Sequence, residues 1–529
     1  MDPENNDGNV EYKRHLTDKN DNRIENLATQ MKYRVNEGDG EASYYIGVED
    51  DGKLSGITEK QFKETDENLK KIAEKNKCTL QLLSSRLVSK NKSIYEYFIR
   101  DIHNPNYIDV KICVAGNVDS GKSTLLGVLT HGKLDDGRGS TRLSVFNHKH
   151  EITSGRTSST AHHILGFDAW GKEINYKSSV NNVSWPEIVE KSRKIISFYD
   201  LAGHEKYLKT TIRGLTSISP DYCFILVGAN MGISKMTREH IFICLTLNIP
   251  FSIIVTKTDI CNERQNVLKT TMLTIKKLLK LPILRRIEYS VKNKDEAITA
   301  ARNFKNESIV PIFQVSNVDG TNLDLLKTFL NLVTPRIKRH KDQSSVLMSI
   351  DGIFQVTGVG TVIAGDLVKG KVYINDKLYL GPDYSGKYTQ VHVRSIHVKR
   401  VSVLSAECGM YICLAIKKIN RKMIRIGQVV VSKEEDCKSQ REFKANINII
   451  RSNSTTIRLG YEPTVHTCNV RQTAKIIKIE REKEGNKVLT TGDRAKVTFR
   501  FCNRPEYLQI GNQLIFSDGK IKAVGEIIE

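Results

Sequence analysis

Val110, Ile112 and Val114 stand at alternate positions and predict a strand that ends at Gly116. Four more apolar runs, at 195–199, 222–227, 251–255 and 309–315, are short and bounded by turn residues, and they read as buried strands. Between the first two runs lies a polar stretch longer than a strand connection needs, and its 172–183 segment, rich in Ser, Asn and Lys, is expected to be mobile. Upstream, 42–48 reads as a strand closed by the turn Asp50-Asp51-Gly52. Phe62, Leu69, Ile72 and Ala73 fall near helical spacing over 59–75, and 79–88 and 94–99 return as strands. Beyond residue 341 the pattern turns to all-β. Residues 346–356 alternate, and short strands recur through Val431; a second set begins at 443–450 and runs past Gly460-Tyr461-Glu462-Pro463 to Phe516 and Ala523-Val524-Gly525.

The loops that follow the α/β strands carry the chemistry. The first spells Gly116-Asn117-Val118-Asp119-Ser120-Gly121-Lys122-Ser123, with Thr124 next on the helix that follows. A glycine-bounded loop between strand and helix aims backbone N–H groups and the helix N-terminus at a phosphate. Lys122 can reach β/γ-phosphates and Ser123 a magnesium ion. The second strand ends in Asp200-Leu201-Ala202-Gly203-His204, where Asp200 can hold the magnesium through water and the Gly203 N–H can face a γ-phosphate. The run at 251–255 ends in Thr256-Lys257-Thr258-Asp259, and a carboxylate at Asp259 can accept both N1–H and N2–H of guanine, which adenine does not offer. The last strand ends in Ser316-Asn317-Val318. Each loop alone is usually a turn or a solvated connection. Ordered along the chain at the carboxyl ends of strands, they stand where open α/β sheets bind ligands, and GTP/GDP with Mg²⁺ is the ligand set they fit.

At this point the chain resembles the translational GTPase superfamily of elongation factor Tu-like proteins, and within it the GTP-binding protein 1/2 family. The phrases that carry the likeness run from Gly116 through the loop to Gly132, from His148 through Gly155-Arg156-Thr157-Ser158-Ser159, and from Asp200 to Thr211. A fourth match, independent of the phosphate loop, is Phe354-Gln355-Val356-Thr357-Gly358-Val359-Gly360-Thr361-Val362-Ile363-Ala364-Gly365, similar to the opening of the second-domain barrel of such factors. The resemblance implies a multidomain fold: an α/β P-loop GTPase domain followed by two β-barrel domains and preceded by a small α+β domain. The expected division is a polar, poorly ordered tail at 1–40 that allows a short helix from Ile24 to Tyr33, the small domain at 41–106, the GTPase domain at 107–340 and barrels at 341–436 and 437–529.

Roles follow by resemblance. Thr157 matches the first-switch threonine that joins Mg²⁺ and orients the attacking water. His204 matches the second-switch histidine that positions water once the ribosome engages. Asp119 matches an acidic residue that helps hold a monovalent cation, K⁺ or Na⁺, beside the phosphates. The catalytic group expected is thus His204, Lys122, Thr157, Asp119 and Gly203, with Ser123, Thr157 and Asp200 on the metal. Two positions depart from the commonest pattern. Thr256 replaces the usual Asn, so a guanine-N7 contact and a bridge to the phosphate loop are either made by a hydroxyl or lost; Asn117 replaces a common His. The 1/2 family shares both.

Composition narrows the setting. The 529 residues contain no apolar run long enough for a membrane span, and the first residues lack a secretion signal, so a cytoplasmic monomer is expected. Ten cysteines are scattered without a Cys-x-x-Cys pair and read as reduced residues, several on core strands such as Cys113 and Cys223. A net charge of +21 points to RNA as a counter-charge, with clusters at Arg336, Lys338, Arg339 and Lys341 and at Lys417, Lys418, Arg421, Lys422 and Arg425. The leading expectation is a GTP-hydrolysing translation factor that engages aminoacyl-tRNA or the ribosome. An RNA quality-control adaptor working with RNA-decay machinery, and a sulfate-activation subunit, are the alternatives.

Overall fold

A computed structural model describes the chain apart from residues 2, 6, 19, 103–106, 147–150, 152–159, 177–183, 262–263, 283, 337–344, 418, 450–456, 482–487 and 519. The first module contains β1 (Val10–Lys13), α1 (Asp21–Glu37), β2 (Glu41–Ile46), α2 (Glu59–Lys75), β3 (Cys78–Ser89) and β4 (Lys92–Asp101), with sheet order β1-β2-β4-β3. The expectation of a poorly ordered tail over 1–40 is therefore corrected. β1 runs parallel to β2, and α1 buries Ile24, Leu27, Ala28, Met31 and Val35 along one face. Its many Asn and Asp residues line the solvent side, which is why composition read as disorder; Arg34, also buried, pairs with Glu4 and Glu11.

The central α/β domain is built around β5 (Ile108–Gly116), α3 (Lys122–His131), β6 (Ala161–Phe167), β7 (Glu173–Ile174), α4 (Trp185–Lys191), β8 (Lys194–Asp200), α5 (Leu208–Ile218), β9 (Tyr222–Gly228), α6 (Lys235–Thr246), β10 (Phe251–Thr256), α7 (Gln265–Leu279), β11 (Ile287–Ser290), α8 (Lys294–Asn303), β12 (Ile309–Gln314) and α9 (Leu323–Leu332). Its sheet order is β11-β12-β10-β9-β5-β8-β6-β7. The six strands from β11 to β8 are parallel, and β6 and β7 extend the sheet antiparallel. β5 is buried at every position and lies between β8 and β9, so its carboxyl end opens at the centre of the sheet. That placement brings the loops after β5, β8, β10 and β12 to one edge.

The first barrel comprises β13 (Leu347–Val356), β14 (Gly360–Lys369), β15 (Lys371–Tyr373), β16 (Lys377–Gly381), β17 (Thr389–Val398), β18 (Val401–Val403), β19 (Ser405–Glu407), β20 (Tyr411–Lys417) and β21 (Val429–Val431). Pairing of β16 with β17 closes a six-strand ring, β16-β21-β13-β14-β20-β17. The second barrel, β22 (Glu442–Ile449), β23 (Thr464–Thr467), β24 (Val470–Glu480), β25 (Arg494–Phe501), β26 (Gln513–Asp518) and β27 (Lys520–Ile527), closes in the order β22-β25-β24-β23-β26-β27. Closure removes the open edges that would otherwise pair with other chains.

Buried charge joins the parts. Glu41 of the first module accepts from Arg100 and from Lys194 of β8 at 2.6 and 3.1 Å, all three side chains being buried. Arg100 also reaches Asn331 Oδ1 at 3.0 Å, and Phe98 and Leu83 enter the core of the central domain. Lys399 of the first barrel pairs with Asp109 of β5 at 2.9 Å, and Lys111 pairs with Asp366 of β14. Arg425 pairs with Glu506 across the two barrels at 2.6 Å, and Arg336 donates to Asn248 O, so these members of the expected basic clusters are engaged in the fold. Lys338, Arg339, Lys341 and Lys418 lie outside the described residues. Cys113 and Cys223 are buried, and no helix among the described residues is long and apolar enough to cross a membrane.

Candidate nucleotide site

The loop after β5 turns through positive φ at Gly116 (149°), Asp119 (60°) and Gly121 (80°), and α3 begins at Lys122. Asp is among the few side chains that tolerate the left-handed region. Lys122 Nζ donates to Gly116 O at 3.1 Å and Asn117 O at 2.8 Å, and Ser120 Oγ donates to Asn117 O at 2.8 Å. Burial lowers the Lys122 ammonium from its ordinary value, and the Asp200 and Asp119 carboxylates oppose that. The charged end of Lys122 thus rests on loop carbonyls, where anionic oxygens would be stronger acceptors. Val118 and Thr124 are half-buried, and Asp119 is exposed.

Asp200 ends β8, and its Oδ2 accepts from Ser123 Oγ at 2.6 Å. Leu201 and Ala202 are buried, the Leu201 N–H donating to Val114 O at 3.0 Å. At Gly203 a β-carbon would stand 2.5 Å from Lys122 Nζ and 2.6 Å from Gly116 O, so a side chain there would collide with the phosphate loop. His204 is half-buried; its Nδ1 accepts from the Lys206 N–H at 3.1 Å, which leaves Nε2 to carry the proton in the neutral ring. The pair Ser123 and Asp200 offers few, hard oxygen donors, which suits Mg²⁺, an ion that keeps several waters and takes phosphate oxygens. Among the described residues no cluster of three or more His, Cys, Asp or Glu forms a metal site. Thr157 lies outside the described residues.

Across the site, Thr256 Oγ1 donates to Ser120 O at 2.8 Å. The bridge to the phosphate loop that Thr256 left open is made by its hydroxyl. Lys257 takes positive φ (60°), and Thr258 and Asp259 are half-buried. Ser316 Oγ donates to Asp259 Oδ1 at 3.0 Å and accepts from the Val318 and Asp319 N–H groups, both at 3.3 Å. Asn317 O accepts from the Asp135 N–H at 2.8 Å. One residue, His240, and the orientation of one expected residue, Asn317, escape sequence reading. His240 on α6 is fully buried with neither ring nitrogen hydrogen-bonded, and burial with the Lys122 charge nearby holds it down to about 3. The Asn317 amide turns toward Gly121, a placement for which the sequence holds no local signal.

Residues 109–336 match the elongation factor Tu GTP-binding domain. The chain is 44% identical to GTP-binding protein 1 of Xenopus laevis over 95% of its own length and 76% of that protein. It is 41% identical to GTP-binding protein 2 of Mus musculus over 100% of its length and 88% of that protein. Among solved structures, translation elongation factor SelB of Methanococcus maripaludis in complex with the GTP analogue GppNHp is 21% identical with a TM-score of 0.56, covering 80% of each chain, a likeness of fold.

Proposed function

Because the chain belongs to the GTP-binding protein 1/2 family of elongation factor Tu-like translational GTPases, we propose that it binds and hydrolyses GTP and that the hydrolysis serves aminoacyl-tRNA or ribosome engagement. The observation that carries this reading is the convergence of separate strand ends on one loop: Ser123 with Asp200, Gly203 against Lys122, and Thr256 with Ser120. Lys122 exchanges its carbonyl acceptors for the β/γ-phosphates. Gly203, lacking a side chain, lets its N–H approach the γ-phosphate. Asp259, held by Ser316, accepts from the guanine N1–H and N2–H. His204, tied through Nδ1, presents Nε2 to the attacking water. Mg²⁺ on Ser123 and Asp200 would neutralise charge developing on the phosphates.

The path outward supports a switch. α5 begins four residues after His204, and its Leu208, Ile212 and Leu215 pack in one cluster with Ile515 and Val524 of the second barrel. Arg213 on the same helix donates to Asp351 O of the first barrel at 3.2 Å. Movement at Gly203 therefore loads both barrels. Charge supports an RNA partner for this part of the chain: residues 1–102 hold 17 basic and 20 acidic side chains, whereas 103–529 hold 64 and 40. The test is single-turnover GTP hydrolysis with and without ribosomes and aminoacyl-tRNA. Strong stimulation that His204→Ala reduces at least ~10²-fold, with GTP and GDP binding kept within a few-fold, is expected. Absence of stimulation would overturn the ribosomal part of the reading.

A further inference from the structure

Guanine offers two acceptors, N7 and O6, along its major-groove edge, away from its 2-amino group, and a site that reads that edge must supply N–H or O–H donors. Thr256 stands where the family resemblance puts such a contact, but it has one hydroxyl proton, and that proton is spent on Ser120 O at 2.8 Å. A hydroxyl so engaged has nothing to give a pure acceptor such as N7.

We propose that the side-chain amide of Asn317 reads the N7/O6 edge of the base, an assignment that rests on the guanine-nucleotide reading of this site. Asn317 is 6% exposed, and its Oδ1 is buried without a hydrogen-bond partner, so no neighbouring donor fixes the orientation of the amide. Its Nδ2 lies 3.8 Å from the point where a Gly121 β-carbon would stand, and Thr256 Oγ1 lies 3.4 Å from the same point. The two side chains therefore flank one glycine of the phosphate loop. The backbone is anchored there by the Asp135 N–H bond to Asn317 O at 2.8 Å. The preceding residue, Ser316, holds Asp259, which accepts from N1–H and N2–H. Consecutive residues of one loop thus serve two edges of the same base: Ser316 through the Asp259 carboxylate, Asn317 through its own Nδ2. Thr256 keeps the phosphate-loop bridge, and the amide function that an Asn at 256 would bring is supplied from 317.

The probe is 7-deaza-GDP, which has a C–H in place of N7, compared with GDP by titration calorimetry on the full chain. Wild type is expected to prefer GDP by about tenfold, the worth of one well-placed hydrogen bond. Asn317→Ala should bind GDP about tenfold more weakly and hold the two nucleotides within about twofold of each other. Asn317→Asp, of equal volume, sets an acceptor against N7 and should lose still more GDP affinity. Adding Thr256→Asn to Asn317→Ala should bring the preference back. An unchanged preference in Asn317→Ala, or full GDP affinity in Asn317→Asp, would overturn the assignment while leaving guanine binding intact. A wild-type chain that binds neither nucleotide would overturn the guanine reading and this assignment with it.

Discussion

Replacing Thr256 with valine removes a single hydroxyl from the centre of the site. The side chain is fully buried, and valine keeps its branched shape, so neither a cavity nor crowding beside Gly121 is introduced. What is lost is the 2.8 Å bond to Ser120 O, in a loop whose left-handed turns at Asp119 and Gly121 depend on such ties. A buried carbonyl deprived of its donor costs about 1–3 kcal/mol. Taking the lower part of that range, about 1–2 kcal/mol, GDP affinity should fall by about 5- to 30-fold. The change should be carried chiefly by faster release, which stopped-flow fluorescence of a labelled GDP resolves. Thr256→Ser keeps the hydroxyl and should stay within about threefold of wild type. A Thr256→Val protein that binds GDP as well as wild type would show that the bridge does not shape the loop.

Asp259→Asn replaces the acceptor of N1–H and N2–H and should shift preference from guanine to xanthine nucleotides; competition binding with XDP reads this, and unchanged preference would mean the base site lies elsewhere. Glu41→Gln leaves Arg100 and Lys194 buried without their carboxylate, so the chain should lose about 3–5 kcal/mol of stability, seen in denaturant unfolding, with earlier proteolysis within residues 1–102. Burial, with Asp366 nearby, raises Asp351 from 3.8 to about 7, although Tyr411 donates to it at 2.7 Å. The folded chain then holds a proton that the unfolded chain has released between about pH 4 and 7. This group favours folding at the acid end of that window, and the contribution is gone once pH passes 7. Asp351→Asn keeps a side-chain oxygen for Tyr411 and should flatten the fall in melting temperature from pH 5.5 to 8; an unchanged slope would exclude Asp351 as its source.

The amino-acid sequence by itself was enough for the features whose causes are local. A run such as Val110, Ile112 and Val114 needs no distant partner to read as a strand, and the glycines at 116 and 121 announce a turn because positive φ suits them. Family phrases extended this to the barrels. Sequence reading failed where burial is one-sided or partners are remote. β11 is a half-exposed edge strand, and β6 carries paired histidines, so neither displays the unbroken apolar run of β9 or β10. α1, legible only as a short helix from Ile24 to Tyr33, runs from Asp21 to Glu37 behind a polar solvent face. Arg425 read as a surface charge until the second barrel placed Glu506 beside it, 81 positions along the chain. Only the tertiary structure decided that the Thr256 hydroxyl is spent on Ser120, that Ser316 holds Asp259, and that the Asn317 amide faces Gly121. Those contacts join loops 57 to 196 residues apart, and what orders them is the packing of β5, β10 and β12 in one sheet, a non-local result that no window of sequence contains.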